Sequence, residues 1–343
     1  MDRRIVLQGL GASALAGVAP GAAEVADAWT MWKARFLRDD GRVVDAEQGG
    51  ISHSEGQAYA LLLAQAAGDR AAFGRIEEWT RAHLLVREDA LMAWRWTPGA
   101  GVVGDDWHNA TDGDLFRAWA LLRARRDSGW EVAAGDVAAI VADLSVSCLW
   151  PDPRAGEELI LRPGAEAFAT DRRVLFNPSY IMPRALRELA EAAGNDRLMR
   201  AADHGETCLS ELAARDMMPD WIDVTADGFA EPTGHDLRSA YDALRISLYL
   251  VWSGRRDHPA VRMAQARLAP DGAGGAIVVA RDARGVPVAE SDLPGYLALA
   301  RLVACGEVNA PGRRSIEGPY YAAVLHMLAG VATREGASCA STQ

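Results

Sequence analysis

Apolar residues recur at the 3.6-residue helical period along most of this chain, and the strict alternation of a half-buried strand is rare. The periodicity predicts helices near residues 24–38, 54–67, 70–84, 114–126, 133–148, 179–193, 196–213, 236–253, 257–268, 294–304 and 318–330. Pro, Gly and Asp gather between them, as in 97–104, 151–164 and 225–234, where each run stops before the next begins. Only 275–280 and, more weakly, 159–161 read as strands. So many helices exceed a four-helix bundle, and they must pack as layers, in a solenoid or in a closed ring. No fixed sequence period supports a solenoid, so a closed double ring of helices in one all-α domain is the expectation.

Composition narrows the classes. Half of the 343 residues are hydrophobic, enough for a large core, and the net charge of -11 opposes nucleic acid and anionic lipid as partners. Residues 1–23 join Arg3 and Arg4 to an uncharged Ala/Gly/Leu/Val run that ends in small residues. This reads as a cleavable twin-arginine export signal, followed by a catalytic domain over 24–335 and a tail over 336–343. The mature form is expected to be secreted or periplasmic, with no membrane contact. Cys148, Cys208, Cys305 and Cys339 form no CxxC pair, so neither a metal nor a cofactor is expected, and the spacing leaves disulfide pairing open.

Three segments put acids where a core would prefer Leu. Ser54 and Gln57 fit a capping box that sets Glu55 in a first helical turn, ahead of Tyr59, Leu62, Leu63 and Ala66. On position alone Glu55 equally fits a charge that complements the helix dipole. Asn109 to Asp114 opens another helix, with Thr111 or Asp112 as its cap. Asp112 and Asp114 point in different directions there, and Asp112 is favoured for a shared cleft. Asp242 and Arg245, at i,i+3, interrupt an apolar run that continues to Trp252, and they fit an internal ion pair as well as a polar cleft. Eleven tryptophans, several beside loop acids, suit the apolar faces of pyranose rings.

Ser54-Glu55-Gly56-Gln57-Ala58-Tyr59-Ala60-Leu61, Ala93-Trp94-Arg95-Trp96, Ala110-Thr111-Asp112-Gly113-Asp114, Asn177-Pro178-Ser179-Tyr180, Tyr241-Asp242-Ala243-Leu244-Arg245 and Pro319-Tyr320-Tyr321 occur in that order. Together they resemble glycoside hydrolase family 8, most closely its endoglucanases associated with bacterial cellulose synthesis. The resemblance implies an (α/α)6 barrel and an inverting endo-β-1,4-glucanase acting on β-1,4-glucan chains, with a cellulose synthase complex as an expected partner. It implies Glu55 as general acid, Asp242 as the base that activates water, and Asp112 as the residue that holds a distorted sugar. It further implies that Arg245 orients Asp242 and that Trp94, Trp96, Tyr180, Tyr320 and Tyr321 wall the subsites. Gly113 and Phe116-Arg117 depart from the commoner family residues. Xylanase and chitosanase activities of the same family, a silent glucan-binding accessory protein, and a metal-dependent diphosphate enzyme built on Asp105-Asp106 are the rival readings.

Overall fold

The computed structural model describes residues 20–270, 275–306 and 308–336. The expected signal therefore lies outside the described residues up to residue 19, and so does the tail from residue 337. Twelve helices occur among the described residues. Six are α1 (Pro20–Phe36), α3 (Arg70–His83), α5 (Ala134–Ser147), α7 (Asp196–Ala214), α9 (Pro259–Arg267) and α11 (Arg313–Ile316). The others are α2 (Ser54–Ala66), α4 (Thr111–Arg126), α6 (Pro183–Ala193), α8 (Tyr241–Trp252), α10 (Pro294–Val303) and α12 (Tyr320–Arg334).

The even-numbered helices form a closed ring. α2 packs on α4, α4 on α6, α6 on α8, α8 on α10, α10 on α12, and α12 returns to α2. The odd-numbered helices pack outside them, which makes the expected (α/α)6 barrel. Patterning explains which helix goes where. α2 is buried from Gly56 to Gln65, all the way round, as a helix between two layers must be. α3 buries only Ala72, Phe73, Ile76, Trp79 and Thr80, one stripe against the ring. A single apolar cluster draws residues from all twelve helices.

Small residues let the ring close tightly. A Cβ on Gly295 of α10 would stand 1.7 Å from the Ala322 carbonyl oxygen of α12, and one on Gly113 of α4 would stand 2.4 Å from Ser54 Oγ at the start of α2. The second approach brings two acid-bearing helix starts together.

Several boundaries differ from expectation. The capping box at Ser54 and Gln57 does not form: His53 is the N-cap of α2, its Nδ1 accepting from Gly56 N at 3.0 Å, while Gln57 turns inward to Val43 N and Thr80 Oγ1. Neither Thr111 nor Asp112 caps α4, which starts at Thr111 after Ala110. The helix predicted over 236–253 starts only at Tyr241, where Asp220 Oδ1 accepts from Ala240 N and Ala243 N at 2.8 and 3.0 Å. A distant acid thus replaces a local cap, and sequence pattern carries no sign of it. The helix predicted over 179–193 is a 3-10 turn (Pro178–Tyr180) followed by α6, with Pro183 in its first turn.

The ten short strands among the described residues were mostly unforeseen: β1 (Ser52–His53), β2 (Arg95–Trp96), β3 (Leu149–Asp152), β4 (Ala155–Leu161), β5 (Ala169–Thr170), β6 (Arg173–Phe176), β7 (Ile222–Thr225), β8 (Gly228–Ala230), β9 (Ile277–Arg281) and β10 (Pro287–Ser291). All pairings are antiparallel: β1 with β2, β3 with β4, β9 with β10, and a four-stranded sheet in the order β5-β6-β7-β8. Every strand lies in a connection that runs from an outer helix to the next inner one. Among the described residues the connections from inner to outer helices carry none, and that between α6 and α7 is Gly194-Asn195. The barrel therefore has one plain end and one end built up by long loops, where α2, α4, α8, α10 and α12 begin; α6 starts instead beside the end of α8, Arg184 N donating to Ser253 Oγ at 3.0 Å.

Cys305 is disulfide-bonded, whereas Cys148 and Cys208 are buried free thiols. No helix among the described residues is long and apolar enough to cross a membrane. Gly295→Ala is expected to lower the stability of the folded chain by about 1–3 kcal/mol, because the added methyl meets backbone that cannot yield cheaply. Urea unfolding of the purified variant checks this.

Candidate active site

The long-loop end holds a cleft of about 620 Å³. Glu55, in the first turn of α2, Asp112, in the first turn of α4, and Asp242, in the first turn of α8, all line it. One side chain joins them. The Arg245 guanidinium, 1 % exposed, donates through Nη1 to Glu55 Oε2 and through Nη2 to Asp112 Oδ2 at 3.0 Å, and its Nη2 lies 3.2 Å from Asp242 Oδ1. Its Nε donates to Ser179 Oγ at 3.1 Å, and Nη1 also reaches the Tyr59 hydroxyl at 3.1 Å. Asn177 closes a second link: its Nδ2 donates to Asp242 Oδ2 at 3.2 Å, while its Oδ1 accepts from Ser179 N and Ser179 Oγ at 3.0 and 2.7 Å.

The acids are electrostatically distinct. Burial pushes Glu55 up, but Arg245 and then His53 outweigh it and hold the carboxyl below its ordinary range. Burial drives Asp112 well above its ordinary range, and although Arg245 opposes this, the neighbouring charge of Glu55 and a hydrogen bond to it add to the rise. Two carboxyls so placed resist ionising together, and of the pair Asp112 is the one whose burial favours the neutral form. Asp114, two residues on, points away: it accepts from Met92 N at 2.7 Å and Asn109 Nδ2 at 2.9 Å, and burial raises it to about 7.

Of the aromatic residues expected here, Trp94, Tyr180, Tyr320 and Tyr321 line the cleft. Arg245 stacks over Tyr180, and the Tyr321 hydroxyl donates to the Tyr241 carbonyl at 2.7 Å. Tyr320 is 1 % exposed and packs between Trp32, Phe36 and His53, so it supports the wall from behind. Trp96 packs differently. It is not among the lining residues: its ring meets Trp79 edge-on and lies under the Arg42 guanidinium, because pairing of β2 with β1 turns neighbouring residues to opposite faces. Sequence reasoning missed His53, Tyr241 and Tyr296 as lining residues. His53 and Tyr241 sit beside the chosen acids, and that adjacency was the available signal; Tyr296 carried none.

Asp106 is paired with Arg95 at 2.6 Å, and among the described residues Asp105-Asp106 joins no cluster of three or more ligand side chains. A pocket behind α8 and β9 is lined by Met218, Ile246, Met263 and Val278 among others, and no carboxylate faces it.

Carboxyl groups converging from three inner-helix starts, in an aromatic-walled cleft on an (α/α)6 barrel, define the class of barrel glycoside hydrolases. Within that class the chain belongs to glycosyl hydrolases family 8, whose model matches residues 6–269. It is 35% identical over 231 residues to an endoglucanase of Cellulomonas uda, covering 66% of this chain and 63% of that protein, just under two thirds of its length. A probable endoglucanase of Novacetimonas hansenii is 35% identical over 245 residues, 70% of each. Among solved structures, the family 8 endoglucanase Cel10 of Klebsiella pneumoniae matches with a TM-score of 0.81 and 28% identity over 90% of this chain and 99% of that one.

Arg245→Met is expected to cost about 3–5 kcal/mol near neutral pH, since it strands buried carboxylates. Glu55 is held low in the folded state, so its share of this stability is present above the ordinary carboxylate range and fades as the pH falls through its lowered folded value. The penalty should therefore shrink in acid, as paired urea titrations near neutrality and at about pH 3 would measure.

Proposed function

We propose that this chain is an inverting endo-β-1,4-glucanase that cuts internal bonds of cellulose-like chains. The observation that carries the reading is the gathering of Glu55, Asp112 and Asp242, from three helix starts, on the single buried guanidinium of Arg245. The endoglucanase relatives support the choice of glucan. The twin arginines and the uncharged run over 1–23 support export to the periplasm or beyond, and the resemblance to the endoglucanases of cellulose-producing bacteria supports work beside a cellulose synthase.

In this reading Glu55 protonates the leaving glycosidic oxygen, and Asp242 takes a proton from the water that attacks the opposite face of the sugar. An acid must enter the reaction protonated, yet Arg245 favours the ionised form of Glu55. Asp112 resolves the conflict: it stores the proton and passes it to Glu55 across their hydrogen bond when the sugar displaces water from the cleft. Asp112 then accepts hydrogen bonds from the ring hydroxyls, and Asn177 holds Asp242 aimed at the water. The water must fit between Asp242 and the anomeric carbon, as inversion requires.

Reducing-sugar release from a soluble cellulose derivative, run against xylan and chitosan, tests the substrate, and release from xylan or chitosan alone would reject it. Glu55→Gln and Asp242→Asn should each abolish turnover and leave oligosaccharide binding nearly intact. Proton NMR of the first products should find the α-anomer, because a β-linked chain inverts; an initial β-anomer would overturn the mechanism. With its raised group removed, Asp112→Asn should move the alkaline limb of the kcat/KM profile to lower pH. An unmoved limb would place the proton elsewhere.

A further inference from the structure

Away from the cleft, α7 presents His204 and Cys208 one turn apart on the same face, opposite the end of β3 at Asp152. All three are buried, at 8 %, 0 % and 1 % exposure, and their donor atoms lie within 4.8 Å of one another. His204 Nε2 stands 2.7 Å from Asp152 Oδ2 and 3.6 Å from Cys208 Sγ. Thiol and carboxylate thus meet the same ring nitrogen. That excludes a relay in which a carboxylate orients one nitrogen while the other activates the thiol. Three different donors converging on one point is instead the arrangement that surrounds a cation.

The spacing suits a particular class. Zinc bonds of about 2.3 Å to sulfur and about 2.05 Å to nitrogen, at a tetrahedral angle, set those two atoms about 3.6 Å apart. The nitrogen and carboxylate oxygen would open by about 0.6 Å to reach their tetrahedral edge. A cation already stands at the spot: Arg154, from the turn between β3 and β4, places Nη2 2.7 Å from Asp152 Oδ2 and 3.2 Å from Cys208 Sγ. Its Nη1 holds the half-exposed Glu211 at 2.5 Å, a partner with which it can move outward. On the far side of the ring, His204 Nδ1 lies 3.9 Å from Glu158 Oε2, beyond hydrogen-bond distance.

We infer that Asp152, His204 and Cys208 form a site for one divalent cation of the zinc class, and that Arg154 is the cation it displaces. A water or Glu211 completes the shell. None of the three residues lines the cleft, so the site serves to pin the β3–β4 hairpin to α7 and takes no part in hydrolysis.

The test titrates metal-stripped protein with Co²⁺. Expected are a near-ultraviolet thiolate-to-cobalt charge-transfer band and the strong visible bands of four-coordination, saturating at one equivalent and bleached by Zn²⁺. Cys208→Ser should lose the charge-transfer band, and Arg154→Met should tighten Co²⁺ binding about tenfold by removing the competing cation. Zn²⁺ should raise the melting temperature of the wild type and not of Cys208→Ser, with glucan hydrolysis equal in all three. No thiolate band at saturating Co²⁺, a band that survives in Cys208→Ser, or no tightening in Arg154→Met would each overturn the inference. Should Cys208→Ser fail to fold, the wild-type band, or its absence, together with His204→Gln still decides the matter.

Discussion

Arg245 is a full positive charge with almost no exposure to water, and the arrangement of the cleft follows from what that charge requires. Burying a guanidinium costs several kcal/mol unless its donors are met by acceptors of opposite charge. Here the acceptors come from α2, α4 and α8, so the three helix starts have to converge. Burial, and the neighbouring charge of Glu55, push Asp112 well above its ordinary range even beside this cation. Structural necessity and acid–base readiness are here the same electrostatic fact.

Convergence also makes a steric demand. Gly113 admits the Ser54 side chain where any Cβ would collide, and Gly295 does the same between α10 and α12. These residues explain why the ring closes with helix starts close enough for side chains from neighbouring helices to share partners. At the plain end of the barrel, closure relies on charge instead: Glu335 receives Arg123, Arg184 and the Trp252 indole, and Glu188 receives Arg126, Arg184 and the Trp119 indole. This girdle is partly buried, whereas the opposite end spends its loops on a cleft.

Legibility varied with the range of the interaction. The inner and outer helices were readable because burial imposes periodicity residue by residue, and the acids stood out because each interrupts an apolar run. Short strands such as β5 and β8 escaped notice, since two or three residues carry no period and take their shape from the partner strand. Caps failed where the partner was distant, as Asp220 is from Ala240, or where inward packing claimed the side chain, as with Gln57.

By itself the sequence determined the helical architecture, the location of Glu55, Asp112 and Asp242 at helix starts, and the family to which the chain belongs, because these depend on local pattern and contiguous motifs. Tertiary structure alone decided that Arg245 serves all three acids, that Trp96 packs on Trp79 while Trp94 faces the cleft, and that Asp152 meets His204 and Cys208. Those outcomes depend on which helices and strands become neighbours, and partners such as Asp152 and His204, 52 residues apart, or Glu55 and Arg245, 190 apart, are brought together by the packing of whole elements rather than by any local preference.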